Sequence, residues 1–343
     1  MPVTPTILTI PQPIQKAITD LLAAPNAQGW MKRAQALHLR YRQPEQNKQQ
    51  HHVSDALDAL PYLGLRAPAT YAQIGSAVAA TSELVPHWQP TTLLDLGCGP
   101  GSGLWALFGL FPSLTQATCV DHSAHFLTLG QQILHTIQAP LAVTWQKADL
   151  LQHVQQHKTV YDVVLLANVL NELNEQQRDA LVAAAFACCG SMLIIVEPGT
   201  PAGSAIVQRA AQQLAPSGTL IAPYLGNQVV PEEWLHFSQR FTRPGFTRRL
   251  RQAMRDSELM ASDWEDAKYS YVTVGKIVPE LTPWGRVIGP VQLSKGYLEV
   301  PVLTHEQCFG VKVPKRHKQQ FAYGKKLSWG ELIVERTDLL APL

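Results

Sequence analysis

Apolar and polar positions along the chain change their period near residue 92. Before this point the pattern is helical: Ile14, Ile18 and Leu22 fall on one face of a helix, and residues 12–85 are predicted to be mostly helical. After it, short apolar runs alternate with longer amphipathic stretches, and the runs end in glycine or polar residues. Such runs are typical of parallel strands that are buried on both faces.

Five strands and three intervening helices follow from this pattern. The strands are predicted within 92–97, 116–123, 142–150, 161–170 and 191–201, and the helices within 101–112, 124–137 and 174–189. Their alternation predicts an α/β fold with a doubly wound, mostly parallel, Rossmann-like sheet. A further alternating stretch at 268–278 and short strands from 285 onward predict a small C-terminal β-module. We therefore expect an N-terminal helical region (1–85), a central α/β domain (86–275) and the β-module (276–343).

The turn after the first predicted strand carries the strongest chemical signal. Three glycines alternate in Asp95-x-Gly97-x-Gly99-x-Gly101, where backbone N–H groups and a helix N-terminus can hold a ligand. The dinucleotide motif G-x-G-x-x-G fails in both frames, since serine and leucine stand at the place of its third glycine. The stretch resembles instead the first motif of the class I methyltransferases that use S-adenosylmethionine. The resemblance implies that the three glycines line the methionine and ribose of that cofactor, with Asp95 nearby.

Two further carboxylates stand where methyltransferases of this class contact the cofactor. Asp121 ends the second strand, where a carboxylate binds both ribose hydroxyls, and Asp149 follows the third strand, at the usual place for contact with the adenine amino group. Dinucleotide enzymes also place a carboxylate at the end of the second strand, so Asp121 alone does not discriminate between the two cofactors. Each carboxylate taken alone is equally compatible with a solvated strand end. The ordered set indicates S-adenosylmethionine.

A more specific resemblance is carried by six stretches, at 65–78, 169–173, 196–203, 232–243, 264–272 and 315–331. Together they are similar to the bacterial and mitochondrial methyltransferase-like family that is associated with the small ribosomal subunit. The resemblance covers nearly the whole chain. It implies a methyltransferase fold and a role in small-subunit assembly or in translation, through binding to rRNA. It leaves open whether the protein transfers methyl groups.

One departure from that family concerns metal binding. Members of the family commonly hold an iron–sulfur cluster on cysteines, but Tyr224, Leu235 and Leu303 stand at or near three of those positions and Cys308 is displaced. Iron–sulfur ligation takes about four converging thiolates, so we expect no cluster here. The histidines of this half of the chain match no metal-binding spacing and are expected to be ordinary surface or core residues; they are His236, His305 and His317.

Charge is distributed unevenly along the chain. Residues 236–343 hold 17 Lys and Arg against 11 Asp and Glu, whereas residues 1–235 hold 11 against 15. The excess falls in two stretches: six arginines between 240 and 255, and six basic residues between 312 and 326, with Phe321, Tyr323 and Trp329 among or beside the latter. Positive charge contacts phosphate and planar rings stack on unpaired bases. We therefore expect small-subunit rRNA as the partner, and neither DNA nor a membrane; a solvated basic face whose aromatic residues belong to the core is the alternative.

Five cysteines without paired spacing indicate a reducing compartment. No secretion signal is recognisable, the first arginine is Arg33, and no apolar run approaches the roughly 18 residues of a membrane span. We therefore expect a cytoplasmic protein.

No residue is identified as catalytic. A cytosine-carbon methyltransferase needs a thiolate beside the base, and no cysteine is well placed for this. An exocyclic-amine methyltransferase often has Asn-Pro-Pro-Tyr after the fourth strand, where this chain has Asn168-Val169-Leu170-Asn171. Asn171 and Glu172 either face the substrate or cap the next helix. Three functions stay open: a methyltransferase acting on or beside small-subunit rRNA, a non-catalytic assembly factor that uses the fold as an RNA-binding scaffold, and a small-molecule methyltransferase.

Overall fold

The computed structural model describes residues 8–23, 33–34, 56–226, 228–230, 232, 234–248 and 263–340. Its helices are α1 (Gln12–Ala23), α2 (Ala56–Leu65), α3 (Ala67–Ser82), α4 (Ser102–Leu110), α5 (Ala124–Ile137), α6 (Leu150–Gln156), α7 (Glu175–Ala187), α8 (Pro201–Leu214) and α9 (Lys318–Gly324). Its strands are β1 (Thr92–Leu96), β2 (Gln116–Asp121), β3 (Ala142–Lys147), β4 (Tyr161–Ala167), β5 (Cys189–Pro198), β6 (Thr219–Ala222), β7 (Phe237–Thr242), β8 (Trp264–Gly275), β9 (Gly285–Val287), β10 (Gln292–Leu293), β11 (Tyr297–Leu303), β12 (Cys308–Pro314) and β13 (Leu332–Ile333).

The central sheet has the strand order β3-β2-β1-β4-β5-β8-β6, and β7 also pairs with β8. Strands β1 to β5 are parallel, and the order reverses between β1 and β4. Strand β8 runs antiparallel to β5 and β6. A parallel sheet with one reversed strand inserted before its sixth strand is the arrangement of the class I methyltransferases, so the predicted fold class is confirmed.

The strands of this sheet form where the sequence is continuously apolar. Residues 163–166 of β4 and 192–196 of β5 are completely buried, because helices cover both faces of the sheet. The five predicted parallel strands are all present. Strand β7, which begins at Phe237, was not predicted, and Arg240 of the arginine stretch lies in it.

The N-terminal helices share the core of the sheet. Ile14 and Ile18 of α1 belong to the same buried cluster as β1 and β4, and α1 and α2 both pack against α5. Helix α3 packs against α4 and β8. None of the described helices has the length and apolar character to cross a membrane.

The C-terminal module is a second, five-stranded antiparallel sheet with the order β10-β11-β9-β13, and β12 pairs with β11. It has a core of its own, in which Leu298, Val300 and Val302 of β11 meet Val311 and Val313 of β12. Helix α9 packs against β11 and β12. The predicted small β-module is therefore present, while the boundaries given for the three regions stay a prediction.

Candidate functional site

The alternating glycines lie at the carboxyl end of β1, where the strand order of the sheet reverses. Open parallel sheets bind their ligands beyond the carboxyl ends of the strands at such a point. Gly97, Gly99 and Gly101 have φ angles of 75°, 53° and 100°, a conformation that glycine adopts without steric cost. The N–H groups of Gly97 and Cys98 donate to the carbonyl of Val120, so the turn is fixed to β2.

Two of these glycines have opposite surroundings. A Cβ atom at Gly97 would collide with the side chain of Val169, which belongs to the turn after β4. A Cβ atom at Gly99 would meet no atom within 4 Å. Gly97 is thus required for the packing of two loops, whereas Gly99 faces open space that a ligand can enter.

Asp121 holds the turn in place. Its Oδ2 accepts a hydrogen bond from the N–H of Gly99 at 2.9 Å, and its Oδ1 accepts one from the N–H of Ser123 at 2.8 Å. Burial raises the pKa of Asp121, while the N–H groups of Ser123 and Gly99 lower it. The carboxylate therefore lies beside the open space at Gly99, where the sequence places it.

Asp95 is buried at the base of the same turn. The position of its Oδ2 beside Gly103 places the carboxyl group under the first turn of α4, and this oxygen has no hydrogen-bond partner among the described residues. Burial raises the pKa of Asp95 to about 7, and the negative charge of Asp121 adds to this effect. A buried carboxyl group with a free oxygen is rare unless a ligand or its own protonation satisfies it.

Asp149 has a different environment. It is exposed, and its Oδ1 accepts a hydrogen bond from the N–H of Gln152 at 2.9 Å, which makes it the N-cap of α6. The structure thus gives Asp149 the helix-capping role that a polar strand end commonly has. Its contact with adenine stays a prediction.

The turn after β4 is anchored by Glu197, which no sequence motif identifies as a functional residue. The carboxylate of Glu197, at the end of β5, accepts hydrogen bonds from the N–H groups of Val169, Leu170 and Asn171 at 3.1, 2.8 and 3.3 Å. Glu197 is completely buried, and burial raises its pKa to about 8. The sequence feature that points to Glu197 is a glutamate directly after the apolar run 192–196.

Neither Asn171 nor Glu172 caps the helix that follows this turn. The N-cap of α7 is Asn174, which forms a capping box with Gln177. Although Glu172 keeps exposed surface, the protein around it reduces its hydration and raises its pKa to about 7, and the charge of Asp121 contributes.

The aromatic ring of Tyr62 lies above this edge of the sheet. It meets the ring of Phe126 edge-on, with 4.9 Å between the centroids. Burial raises the pKa of Tyr62, and the charges of Glu172 and Asp121 raise it further. Helix α2 therefore covers an edge that carries four carboxyl groups, namely those of Asp95, Asp121, Glu172 and Glu197. This electrostatic environment suits a ligand that carries positive charge.

The residues at the cysteine positions of the related family do not fit an iron–sulfur centre. Tyr224, Leu235 and Leu303 are buried side chains without a thiol. Burial raises the pKa of the Cys308 thiol to about 12, and the neighbouring Glu232 carboxylate adds to this. One thiol cannot supply about four thiolate ligands. In the part of the chain that the structure describes, no group of three or more His, Cys, Asp or Glu side chains could hold a metal ion.

The two basic stretches differ in their pairing. Arg240, Arg243 and Arg248 each form an ion pair with an acidic residue in the first residues of β8 or directly before this strand, with N–O distances of 2.8, 3.2 and 2.8 Å. The other three arginines of that stretch lie outside the described residues; they are Arg249, Arg251 and Arg255. The six basic residues between 312 and 326 are exposed; they are Lys312, Lys315, Arg316, Lys318, Lys325 and Lys326.

The aromatic residues of that module belong to its packing. Phe321 and Tyr323 pack against the core of the module, and Trp329 packs against the main core. Each of the three rings thus covers apolar surface while it stays partly exposed, and their stacking on bases stays a prediction.

Comparison with known proteins gives a matching family and a human relative. The profile of the family described as "Mitochondrial small ribosomal subunit Rsm22" matches residues 56–334. The human protein "Ribosome assembly protein METTL17, mitochondrial" is 31% identical over 160 residues, which are 44% of this chain and 34% of that protein. The match thus spans about a third of the length of this relative.

Solved methyltransferase structures also resemble the chain, at low identity. The magnesium protoporphyrin IX methyltransferase of Synechocystis PCC 6803, solved with bound SAM, is 15% identical, with a TM-score of 0.36, over 60% of this chain and 87% of its own. The precorrin-6y C5,15-methyltransferase of Geobacter metallireducens is 13% identical, with a TM-score of 0.38, over 58% of this chain and 85% of its own.

The expectation of a cytoplasmic protein is contradicted. Both the matching family and the human relative are mitochondrial by description, and this points to the mitochondrion. Free cysteines indicate only a reducing environment, and that property does not separate the cytoplasm from the mitochondrial matrix.

Proposed function

The chain belongs to the Rsm22 family of mitochondrial small-ribosomal-subunit proteins, and on this premise we propose that it is a methyltransferase-like protein of small-subunit assembly that binds S-adenosylmethionine and acts on or beside small-subunit rRNA. The family match carries the proposal, because it runs from residue 56 to residue 334 and so includes both the glycine turn and the basic module. The name of the human relative, a ribosome assembly protein, supports the same role.

The residues at the glycine turn fit S-adenosylmethionine. Gly99 faces open space, Asp95 has an unsatisfied buried oxygen, and the surrounding carboxyl groups offset the positive charge of a sulfonium. We propose that the cofactor is held by Asp95, Gly97, Gly99, Gly101, Asp121 and Asp149. When bound, S-adenosylmethionine would supply an electrophilic methyl group. The protein fixes the N–H of Gly99 through Asp121 and has the ring of Tyr62 near the same carboxylate.

A second function, that of a non-catalytic assembly factor, is favoured by the state of the thiols. Burial raises the pKa of all five cysteines, so none provides the thiolate that a cytosine-carbon methyltransferase uses. The turn after β4 is a second observation in favour of this function, because three of its N–H groups already donate to Glu197 and are not available to a substrate. In this alternative the fold serves as a scaffold for RNA binding.

The cofactor is tested by calorimetric titration of the full chain with S-adenosylhomocysteine. Asparagine tolerates a positive φ better than other residues with a Cβ, so Gly99→Asn fills the open space with little backbone strain. We expect the variant to bind at least about ten-fold more weakly. Gly245→Asn is the matched control, since a Cβ atom at Gly245 also meets nothing within 4 Å. Absence of binding by the wild-type chain, or equal binding by both variants, would contradict the assignment.

An experiment in cells that lack the gene distinguishes the methyltransferase from the non-catalytic assembly factor. If the protein is an enzyme, one methyl group of the small-subunit rRNA disappears and returns on incubation with pure protein and cofactor. If it is a scaffold, small subunits accumulate incompletely assembled while the methylation pattern stays intact. Crosslinking followed by sequencing of the attached RNA tests the partner, and a random RNA profile would count against both.

A further inference from the structure

One end of the outer face of the C-terminal sheet combines positive charge with an aromatic ring. In the pairing of β11 with β12, Tyr297 lies opposite Pro314 and Glu299 lies opposite Lys312. Tyr297, Glu299 and Lys312 alternate with buried residues of the module core, so their side chains are on the outer face. The Lys312 ammonium lies 5.5 Å from the centroid of the Tyr297 ring.

Lys312 does not pair with the acidic residue opposite it. The Glu299 carboxylate lies over Gly310, the neighbouring residue on the same face of β12, while Lys312 reaches the other way, over Tyr297. This geometry separates the carboxylate from the ammonium. Positive charge is therefore left at the Tyr297 end of the strands.

Three more cations lie at the same end. The N–H of Lys315 donates to the carbonyl of Gly296, which brings the turn after β12 beside the turn that contains Lys295. Arg316 follows directly, and its Nε donates to His317 rather than to a carboxylate. Lys295, Lys312, Lys315 and Arg316 are all exposed, and within the described part of the chain none of them takes part in an ion pair. These four residues and Tyr297 are called the Tyr297 surface below.

We propose that the Tyr297 surface is where the protein binds single-stranded rRNA, with the four cations on phosphates and the tyrosine ring beside a base. The proposal rests on the proposed function, which makes RNA the partner. Unpaired, exposed cations are available to the phosphates of RNA, whose counterions are released on contact. An arginine that is held by a carboxylate must first give up that partner. Arg240 in β7 and Arg243 and Arg248 after it are each held by a carboxylate. We therefore assign the RNA contact to the module and not to these arginines.

The test measures binding of the full chain to a fluorescein-labelled, unstructured RNA oligonucleotide by anisotropy, from about 50 to about 200 mM salt. The triple variant Lys312→Gln, Lys315→Gln, Arg316→Gln is expected to reduce the slope of log K against log salt by about 2, at about 0.7 for each phosphate contact on a single strand. Tyr297→Ala is expected to weaken binding about ten-fold through lost stacking, and Tyr297→Phe to retain it. All the changed side chains lie on the surface, and unfolding by heat checks that the variants are folded.

A matched pair of variants separates the two basic stretches. Arg316→Gln and Arg240→Gln remove the same charge by the same substitution, but Arg240 is held by Asp266. Only Arg316→Gln is expected to lower the slope. Suppose that the wild-type chain binds RNA, but that the slope changes in both variants or in neither of them. The Tyr297 surface is then not the site, and the proposed function still stands. If the wild-type chain binds no RNA, both proposals fail. Equally tight binding of a poly-glutamate peptide would indicate an acidic protein partner and overturn the assignment to RNA.

Discussion

Asp95 links the chemistry of the site to the stability of the fold. Its pKa rises from 3.8 to about 7, first because it is buried and then because of Asp121. Between these values the folded protein keeps a proton that the unfolded chain has lost, so the free energy of unfolding falls as pH rises. One pKa unit corresponds to about 1.4 kcal/mol, so Asp95 alone makes the fold about 2–3 kcal/mol less stable at about pH 8 than at about pH 5.

We therefore predict that Asp95→Asn reduces the pH dependence of stability by this amount, measured by urea unfolding at about pH 5 and about pH 8. The pKa values of Glu172 and Glu197 are also raised, to about 7 and about 8, so part of the pH dependence remains. The control is Asp162→Asn. Burial raises the pKa of Asp162, but hydrogen bonds from Thr91 and Thr92 outweigh it, so that its pKa is lowered. Asp162 is ionised in both states across this window and its loss shifts stability by a constant amount. A wild-type slope in the Asp95 variant would show that this carboxyl stays ionised in the fold.

At the scale of elements, Glu197 joins β5 to the turn after β4. Its carboxylate satisfies three backbone N–H groups that are otherwise buried or half-buried. We predict that Glu197→Ala lowers the free energy of unfolding by about 3 kcal/mol, because each unsatisfied buried donor costs about 1 kcal/mol or more. Hydrogen exchange should accelerate at residues 169–171. The comparison variant is Glu306→Ala, at an exposed position of the C-terminal module, which should change stability by less than about 0.5 kcal/mol; equal effects would mean that Glu197 does not anchor the turn.

The elements that could be predicted from the sequence are those specified by local pattern. The strands β1 to β5 are apolar runs between helices, and the Asn174 cap is a short-range motif. Strand β7 could not be predicted because its pairing is long-range. Arg240 lies opposite Asp266, and no residue near Arg240 in the sequence indicates this pairing. The same holds in the site. Gly97, Gly99, Gly101 and Asp121 follow from motif and strand order, whereas Glu197 and the ring of Tyr62 reach the site only through tertiary packing.

At the scale of the whole molecule, the C-terminal module is joined to the main core by apolar packing, to which Leu303 and Leu332 contribute, and by specific hydrogen bonds. The indole N–H of Trp329 in the module donates to the carbonyl of His236 at 3.1 Å, and the two rings meet edge-on. Arg286 of β9 is completely buried; its Nη1 donates to the carbonyl of Gly330 at 2.8 Å and its Nη2 to the carbonyl of Ala80 on α3 at 3.4 Å. The module is thus fixed to the helix that packs on the sheet, and the Tyr297 surface keeps a defined orientation toward the glycine turn.

Arg286→Ala should loosen this attachment. The change removes two hydrogen bonds and leaves a cavity between α3 and the module, so we predict a loss of about 3–5 kcal/mol in the free energy of unfolding. Limited proteolysis should then cut within residues 276–284, which connect β8 to β9. Arg336→Ala makes the same substitution at an exposed position and should stay within about 0.5 kcal/mol of the wild type.

If the protein is a scaffold for RNA, the Arg286→Ala variant with its loosened module should bind the oligonucleotide with unchanged salt slope, because the cations of the Tyr297 surface remain. It should nevertheless fail to restore small-subunit assembly in cells, since the surface no longer has a fixed position relative to the sheet; full restoration by a variant shown to be loosened would contradict a role for this orientation.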